Sequence, residues 1–485
     1  MTNLEKIIYE KGPLLSSELI DVVSNENNKL KNTTIRKRLT RLDDDIYKIK
    51  GLFVDNQALF YHRDIHGTTE YYSGLKRALK KAGKQYNIVL NSLDFHNGYL
   101  KSNQLASYSI SPIQKLKGHV LFDSVILKLK NLHLIYEEGE NTVLAKNISE
   151  NDHELRRSKG IDVGKNFILI QFNDWSRKLG LVSYNSSRFQ GEFGKFQFNF
   201  VAPSYIGSLT KKSGDKIIPA FVIADILIGN PINESQVEFF INKINVLKTQ
   251  KKLSPFLPFL IVDSVDPKAL NKLKSHGVVI GFTNELFGDT YKDLLNSLIN
   301  LVTNAGAILK KNPDAYLDLI SKLNKLVSGK TNNLRGDLFE LAVGYYHGRF
   351  SKNIDIGKII TQDGIQREID VFSYYPNKIV VSECKGYNSP IEKNDIDKWL
   401  GEKIPVIRKW ILNQPSISDF QVIFEFWSTG GFTPEAKELI NNRKESTKKY
   451  IINTFELDEM IELSKSTKTK KFTEILQEYY VKDLS

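Results

Sequence analysis

Three apolar segments joined by two short turns constrain the fold of this chain more than any other feature. The segments are IGKII, EIDVFSYY and KIVVSECKG, and the turns between them contain QDG and PN. Alternating apolar residues predict strands, and turns this short join antiparallel neighbours. The preceding stretch, TNNLRGDLFELAVGYYHGRF, has apolar residues at helical spacing. We therefore predict a compact α/β core made of a helix followed by an antiparallel sheet.

Polar residues interrupt these apolar strands at three positions. Asp370 lies in the second strand, and Glu383 and Lys385 lie in the third. Because successive strand residues point to opposite faces, Glu383 and Lys385 share one face and Cys384 points to the other. Burying a carboxylate and an ammonium costs free energy unless something compensates. A divalent metal ion would compensate, and metal-dependent phosphodiester cleavage is a chemistry that needs these groups.

Glu340, Asp370 and the Glu383-Cys384-Lys385 triplet resemble the signature of the PD-(D/E)xK nuclease superfamily, which has the restriction-endonuclease-like fold. The helical GDLFELA and the strand QVIFEFW followed by STGGFTPEAKELI resemble the Mrr-like members. The resemblance covers roughly residues 331–460. The chain departs from the signature at Ile369, where the signature has a proline that many members also lack.

The resemblance implies a role for each residue and a class of function. Asp370 and Glu383 would ligate Mg²⁺ or Mn²⁺, the backbone carbonyl of Cys384 could add a ligand, and Glu340 would complete the shell directly or through water. Lys385 would orient or activate the attacking water and stabilise developing charge. The implied function is a metal-dependent DNA endonuclease in prokaryotic restriction or in defence against phage and mobile elements. A nuclease acting on RNA or branched DNA, and a non-catalytic DNA-binding regulator, are the alternatives.

The N-terminal region predicts a DNA-binding module. Two short helices are predicted first, and a third helix over Thr33–Leu42 has the apolar residues Ile35, Leu39 and Leu42 on one face. A hairpin, IYKIKGLFV and ALFYHRD, follows it. Three helices and a hairpin resemble the winged helix-turn-helix family, in which such a helix binds double-stranded DNA. The candidate DNA contacts on the other faces of the helix are Thr34, Arg36, Lys37, Arg38 and Arg41. A protein-interaction module is the alternative.

The remaining segments complete a multidomain α/β prediction. We expect a winged helix over 1–68, a second winged helix over 69–150, a middle α/β domain over 151–300, a helical linker over 301–330 and a restriction-endonuclease-like α/β/α core with a mixed sheet over 331–485. In the middle domain, NFILIQF and KLGLVSY are predicted strands. Its element order parallels the nuclease region, with Asp225 at the position of Glu383 and Leu227 at that of Lys385. It is therefore either a degenerate nuclease-like copy or an unrelated domain.

Composition bounds the class of protein and its partners. The chain has 68 Lys and Arg against 56 Asp and Glu, a net charge of +12, which favours polyanionic partners, although a lysine-rich surface gives the same excess. A single cysteine excludes disulfides and cysteine-based zinc sites within the chain. No signal peptide, membrane span or nucleotide-cofactor motif is evident, so we expect a cytoplasmic protein. The C-terminal Tyr479 and Tyr480 are expected to pack on the nuclease domain or in a homodimer.

Overall fold

The computed structural model describes residues 3–26, 31–213, 216–327 and 332–481. The chain divides into two compact units. Unit 1 comprises Met1–Ser158 and Trp175–Phe282, and unit 2 comprises Lys159–Asp174 and Thr283–Ser485. Helices and mixed sheets occur in both units, so the chain is a multidomain α/β protein, while the finer domain boundaries stay predictions. Within the described residues, no helix is long and apolar enough to cross a membrane.

Unit 1 begins with three helices and a three-stranded antiparallel sheet in the order β1-β3-β2. The elements are α1 (Asn3–Lys11), β1 (Leu14–Leu15), α2 (Ser16–Glu26), α3 (Asn32–Leu39), β2 (Ile46–Lys50) and β3 (Ala58–His62). The predicted end of the third helix at Leu42 is wrong. The helix stops at Leu39, and the Thr40 hydroxyl donates to the carbonyl of Lys37 at 2.7 Å, so Arg41 lies beyond it.

A second group of helices and strands follows, with a three-stranded antiparallel sheet in the corresponding order β4-β6-β5. Its elements are α4 (Thr69–Ala82), α5 (Lys84–Phe95), β4 (Tyr99–Lys101), α6 (Ser102–Leu105), α7 (Phe122–Asn131), β5 (Ile135–Glu138) and β6 (Asn141–Leu144). Short 3-10 turns cover Val54–Asn56, Arg63–Ile65, Ala106–Tyr108 and Lys146–Ile148. Each of the two groups thus has two helices between its first and second strands, while one helix precedes the first strand in the first group and two precede it in the second.

The predicted strands NFILIQF and KLGLVSY are wrong. The first lies inside helix α8 (Leu155–Lys178), and the second begins at the last residue of that helix and contains no strand. Phe167, Ile168, Leu169 and Phe172 are all buried. A helix buried on several sides has a continuous apolar run, which periodicity alone does not distinguish from a buried strand.

The main sheet of unit 1 has the order β13-β12-β11-β8-β7. Strands β7, β8 and β11 are antiparallel to one another in turn, and β11, β12 and β13 are parallel. The elements are β7 (Arg188–Phe193), β8 (Phe196–Ser204), β9 (Lys211–Ser213), β10 (Lys216–Ile218), β11 (Ala220–Leu227), α9 (Glu234–Thr249), β12 (Phe256–Val262), α10 (Pro267–Ser275) and β13 (Val279–Phe282). Strands β9 and β10 form a separate hairpin.

The sheet of unit 2 has the order β14-β15-β16-β17-β18, in which the first three strands are antiparallel and the last three parallel. The helices are α11 (Thr283–Phe287), α12 (Tyr291–Lys311), α13 (Pro313–Val327), α14 (Asn332–Gly348), α15 (Lys393–Lys398), α16 (Ile404–Leu412), α17 (Pro434–Ser446), α18 (Leu457–Ser466) and α19 (Lys470–Tyr480). The strands are β14 (Asn353–Gln362), β15 (Ile365–Tyr374), β16 (Lys378–Lys385), β17 (Gln421–Ser428) and β18 (Ile451–Glu456). A π-helical turn, Trp399–Lys403, joins α15 to α16.

Local sequence explains why the strands of unit 2 form where they do. Asp363 and Gly364 both have positive φ, 53° and 75°, which is the backbone of the tight turn that closes a two-residue hairpin. One face of the sheet buries Phe372, Val381 and Phe424 in a single apolar core. The core also includes side chains of the helical segment after β16, so this segment is held against the sheet.

Candidate active site

The pairing of β15 with β16 brings Asp370 next to Glu383. Phe372 pairs with Val381, and the same register continued places Asp370 opposite Glu383 on the same face. The Asp370 Oδ2 atom also accepts the backbone N–H of Cys384 at 2.7 Å. Both carboxylate residues are buried, each 7% exposed. The strand register therefore fixes two acidic groups side by side in a largely dry environment.

Lys385 contacts both of these carboxylates. Its Nζ atom lies 2.7 Å from Glu383 Oε1 and 3.9 Å from Asp370 Oδ2. Burial acts to lower the pKa of Lys385, but Asp370 and Glu383 outweigh it and raise that pKa above its usual range. The side chain therefore carries its proton and can stabilise or orient negative charge, while it cannot accept a proton from water in this state.

Glu340 is placed near the cluster, but its direct partner is a residue that sequence reasoning missed. It lies on α14, where its Oε2 atom is 3.2 Å from Lys159 Nζ. Burial raises the pKa of Glu340 well above its usual range, and the carboxylates of Asp370 and Glu368 add to this, while Lys159 opposes it. Glu340 thus feels the charge of Asp370, and the two share one electrostatic site.

Lys159 packs closely against a glycine at this site. Its ammonium also pairs with Glu368 at 2.5 Å. Gly357, on β14, has φ +61°, and a Cβ atom there would lie 2.7 Å from Lys159 Nζ. Lys159 is 181 residues from Glu340 in sequence, so no local pattern could have indicated this contact.

Lys403 is the second site residue that sequence reasoning missed. Its Nζ atom donates to both oxygens of Glu383, at 2.7 Å each, from the end of the π-helical turn. Turns of this type occur often at functional sites, but they have no sequence signature that could have marked the residue. Glu383 consequently holds two ammonium groups, those of Lys385 and Lys403.

A buried network supports the other face of β16 and β17. Glu425 Oε2 lies 3.1 Å from His347 Nε2 and accepts the indole N–H of Trp427 at 2.9 Å. His347 Nδ1 in turn lies 3.0 Å from the Tyr375 hydroxyl. Burial acts to raise the pKa of Glu425, but His347, Trp427 and Ser382 together bring it below its usual value. The network joins α14 to the sheet directly behind the two site strands.

The donor chemistry of the site suits a hard divalent cation. Asp370 and Glu383 offer carboxylate oxygens, the ligands that Mg²⁺ and Mn²⁺ prefer. Within the part of the chain that the structure describes, no group of three or more His, Cys, Asp or Glu side chains is gathered around a metal position. Ammonium groups balance the acids instead, since Lys159 pairs with Glu340 and Lys403 with Glu383. Burial raises the pKa of the Cys384 thiol well above its usual range, so its carbonyl is the better donor.

The candidate DNA contacts lie on the surface of unit 1. Arg36, Lys37 and Arg38 are exposed on α3, and Arg41 is exposed just after it. Thr34 is half-buried. Ile35 and Leu39, on the apolar side of the helix, belong to a core that also contains Ile8, Leu19 and Phe60. The basic side of α3 is therefore free to face a polyanion.

Comparisons with known proteins yield only distant similarity. No family model matches the chain, and no curated protein matches it. Among solved structures, the restriction endonuclease FokI bound to DNA is 13% identical with a TM-score of 0.18, over 56% of this chain and 59% of that one. A second structure of the restriction endonuclease FokI is 13% identical with a TM-score of 0.19, over 93% of this chain and 83% of that one. Similarity at this level does not establish a shared fold.

Proposed function

We propose that the chain is a metal-dependent endonuclease that hydrolyses phosphodiester bonds in double-stranded DNA. One observation carries the proposal: Asp370, Glu383 and Lys385 converge on neighbouring buried strands, with Lys385 Nζ within 3.9 Å of both carboxylates. A purely structural ion pair needs one acid and one base. Two buried acids that strand register holds side by side instead offer several carboxylate oxygens as ligands to one divalent cation.

Each residue has a distinct part in the proposed reaction. Asp370 and Glu383 would hold Mg²⁺ or Mn²⁺, with the Cys384 carbonyl and Glu340, directly or through water, as further donors. The metal ion, when bound, supplies Lewis acidity at the phosphate and lowers the pKa of water. Lys385, which is protonated, orients the attacking water and stabilises the charge that develops on the phosphate.

The N-terminal part of unit 1 would supply the DNA contact. The order of helices and strands up to β3, with the sheet order β1-β3-β2, supports the winged-helix interpretation, and β4-β6-β5 supports a second module. The exposed basic helix α3 has the width and charge to enter a major groove. Recognition by unit 1 and cleavage by unit 2 would suit a role in prokaryotic restriction or antiviral defence.

The test of this proposal is cleavage by the full chain with Mg²⁺, Mn²⁺ or a chelator. We expect duplex DNA to be cut with either metal and not with the chelator. Asp370→Asn should abolish cutting because it removes a charged ligand, and Lys409→Met, at an exposed ion pair with Asp363, is the matched control that should cut normally.

The same assay separates the alternative functions. A panel of duplex, single-stranded and branched DNA and of RNA identifies the substrate. Faster cleavage of RNA or branched DNA would replace duplex DNA as the substrate. Tight DNA binding with no metal-dependent cleavage of any substrate would instead indicate a non-catalytic regulator.

A further inference from the structure

The main sheets of the two units are built in the same way. The strands are counted here from β7 in unit 1 and from β14 in unit 2. In each sheet, the third strand is antiparallel to the second and parallel to the fourth, and helical structure joins the third strand to the fourth. The equivalent third strands are β11 and β16. We call this shared arrangement of strands and connecting helix the framework, and unit 1 contains a second example of it.

One hydrogen bond aligns the two frameworks residue by residue. In unit 2, the N–H of Cys384, which follows Glu383, donates to Asp370 Oδ2 at 2.7 Å. In unit 1, the N–H of Ile226, which follows Asp225, donates to Asn199 Oδ1 at 3.0 Å. Asp225 thus occupies the place of Glu383, and Asn199 that of Asp370.

The alignment then identifies a lysine that is common to both frameworks. Lys243, on α9, donates to Asp225 Oδ2 at 2.6 Å and follows it by 18 residues. Lys403 donates to Glu383 at 2.7 Å and follows it by 20 residues. In contrast, the position of Lys385 is taken by Leu227 in unit 1. Both units therefore pair the acidic residue of the third strand with a lysine that follows the strand, although only unit 2 has a lysine in the strand itself.

The two lysines differ in what else surrounds them. Lys243 is fully buried and also donates to the carbonyls of Ser107 and Gln197, at 2.6 and 2.9 Å. Lys403 has a side chain that is 32% exposed, and its ion pair is with Glu383. Lys243 is therefore held by buried hydrogen bonds. The side chain of Lys403 is partly exposed, so its ammonium can move from Glu383 into solvent.

We infer that Lys403 is a positioning residue that fixes the Glu383 carboxylate and competes with the metal ion for it. The inference rests on the proposed function, because it concerns the same carboxylate. An ammonium bonded to both oxygens of Glu383 uses the lone pairs that a cation would use, and its charge repels that cation. Lys385 still holds Glu383 Oε1 when Lys403 is removed, so the carboxylate stays oriented.

The test is Mn²⁺ binding to the full chain without DNA, measured by calorimetry. Lys403→Met should lower the Kd for Mn²⁺ by about tenfold, because removing a like charge next to the ligand favours the cation. Lys403→Arg, which keeps the charge, and Lys409→Met, which changes an exposed lysine, should bind Mn²⁺ as the wild type does. Lys403→Gln serves as a second neutral variant, and a thermal melt shows that each variant is folded.

Two results would overturn the inference. One would exclude only the role of Lys403, and the other would exclude the metal site as well. If Asp370→Asn abolishes Mn²⁺ binding but both neutral Lys403 variants bind like the wild type or more weakly, Lys403 does not compete, and the proposed metal site stands. If the wild type binds no Mn²⁺, or Asp370→Asn binds it equally well, the metal site itself is wrong, and the role of Lys403 falls with it.

Discussion

Buried charged residues in this chain depend on their partners to offset the hydration that they lose on folding. Lys243 and Asp225 are both fully buried and lie 2.6 Å apart, so each depends on the other to offset its lost hydration. Glu383 is also buried and pairs with Lys385 and Lys403, but the side chains of these two lysines are partly exposed. The first pair is thus closed off from solvent, while the ammonium groups of the second cluster are partly exposed.

Breaking the buried pair in unit 1 should destabilise the fold. We expect Lys243→Met to lower the free energy of unfolding by about 3–5 kcal/mol, since Asp225 would be left buried without its cation. Urea denaturation monitored by circular dichroism measures the change, and Lys251→Met, at an exposed turn, is the control. The double variant Lys243→Met with Asp225→Leu should recover much of the loss, and no recovery would argue against unpaired charge as the cause.

Glu425 should make unit 2 sensitive to acid. Its folded-state pKa is lowered, so its ionised form stabilises the fold above its unfolded pKa, and that contribution is lost as pH falls through the folded pKa. Glu425→Gln should therefore lower the melting temperature at pH 7 and have less effect at pH 3. An equal loss at both pH values would show that shape, and not charge, is what Glu425 contributes.

The helices and strands that could be predicted from the sequence are those with a local pattern of apolar residues or turn residues. The strands β15 and β16 follow from alternating apolar residues and from the Asp363-Gly364 turn, and helix α14 follows from its spacing. Helix α8 was missed because its apolar run is continuous. Lys403 and Lys159 were missed because tertiary packing, and not local pattern, brings them to the site.

The exposed basic side of α3 should make DNA binding depend on salt concentration. If Arg36 and Arg38 contact phosphates, replacing both with Ala should lower the slope of log Kd against log salt concentration by about two, since each contact contributes roughly 0.9. Fluorescence anisotropy with duplex DNA measures the slope, and Lys251→Ala is the control. An unchanged slope would show that another surface binds DNA, and a changed sequence preference would indicate contacts to bases.

The main sheets of the two units share a strand order but differ in the side chains at equivalent positions. Unit 2 has Asp370, Glu383 and Lys385 where unit 1 has Asn199, Asp225 and Leu227. The predicted internal duplication would account for this shared order, and it stays a prediction. The predicted packing of Tyr480 is also resolved within unit 2, where its ring is buried against Phe339.

The most direct test of the central claim is plasmid cleavage by Lys385→Met. We expect this variant to bind duplex DNA and Mn²⁺ but to cut at least about 100-fold more slowly than the wild type, since a charge aimed at the reacting phosphate is lost. Single-turnover cleavage of supercoiled DNA with Mg²⁺ measures the rate, and Lys409→Met is the matched control. Wild-type cutting by a folded Lys385→Met protein would contradict the assignment of this site as the catalytic centre.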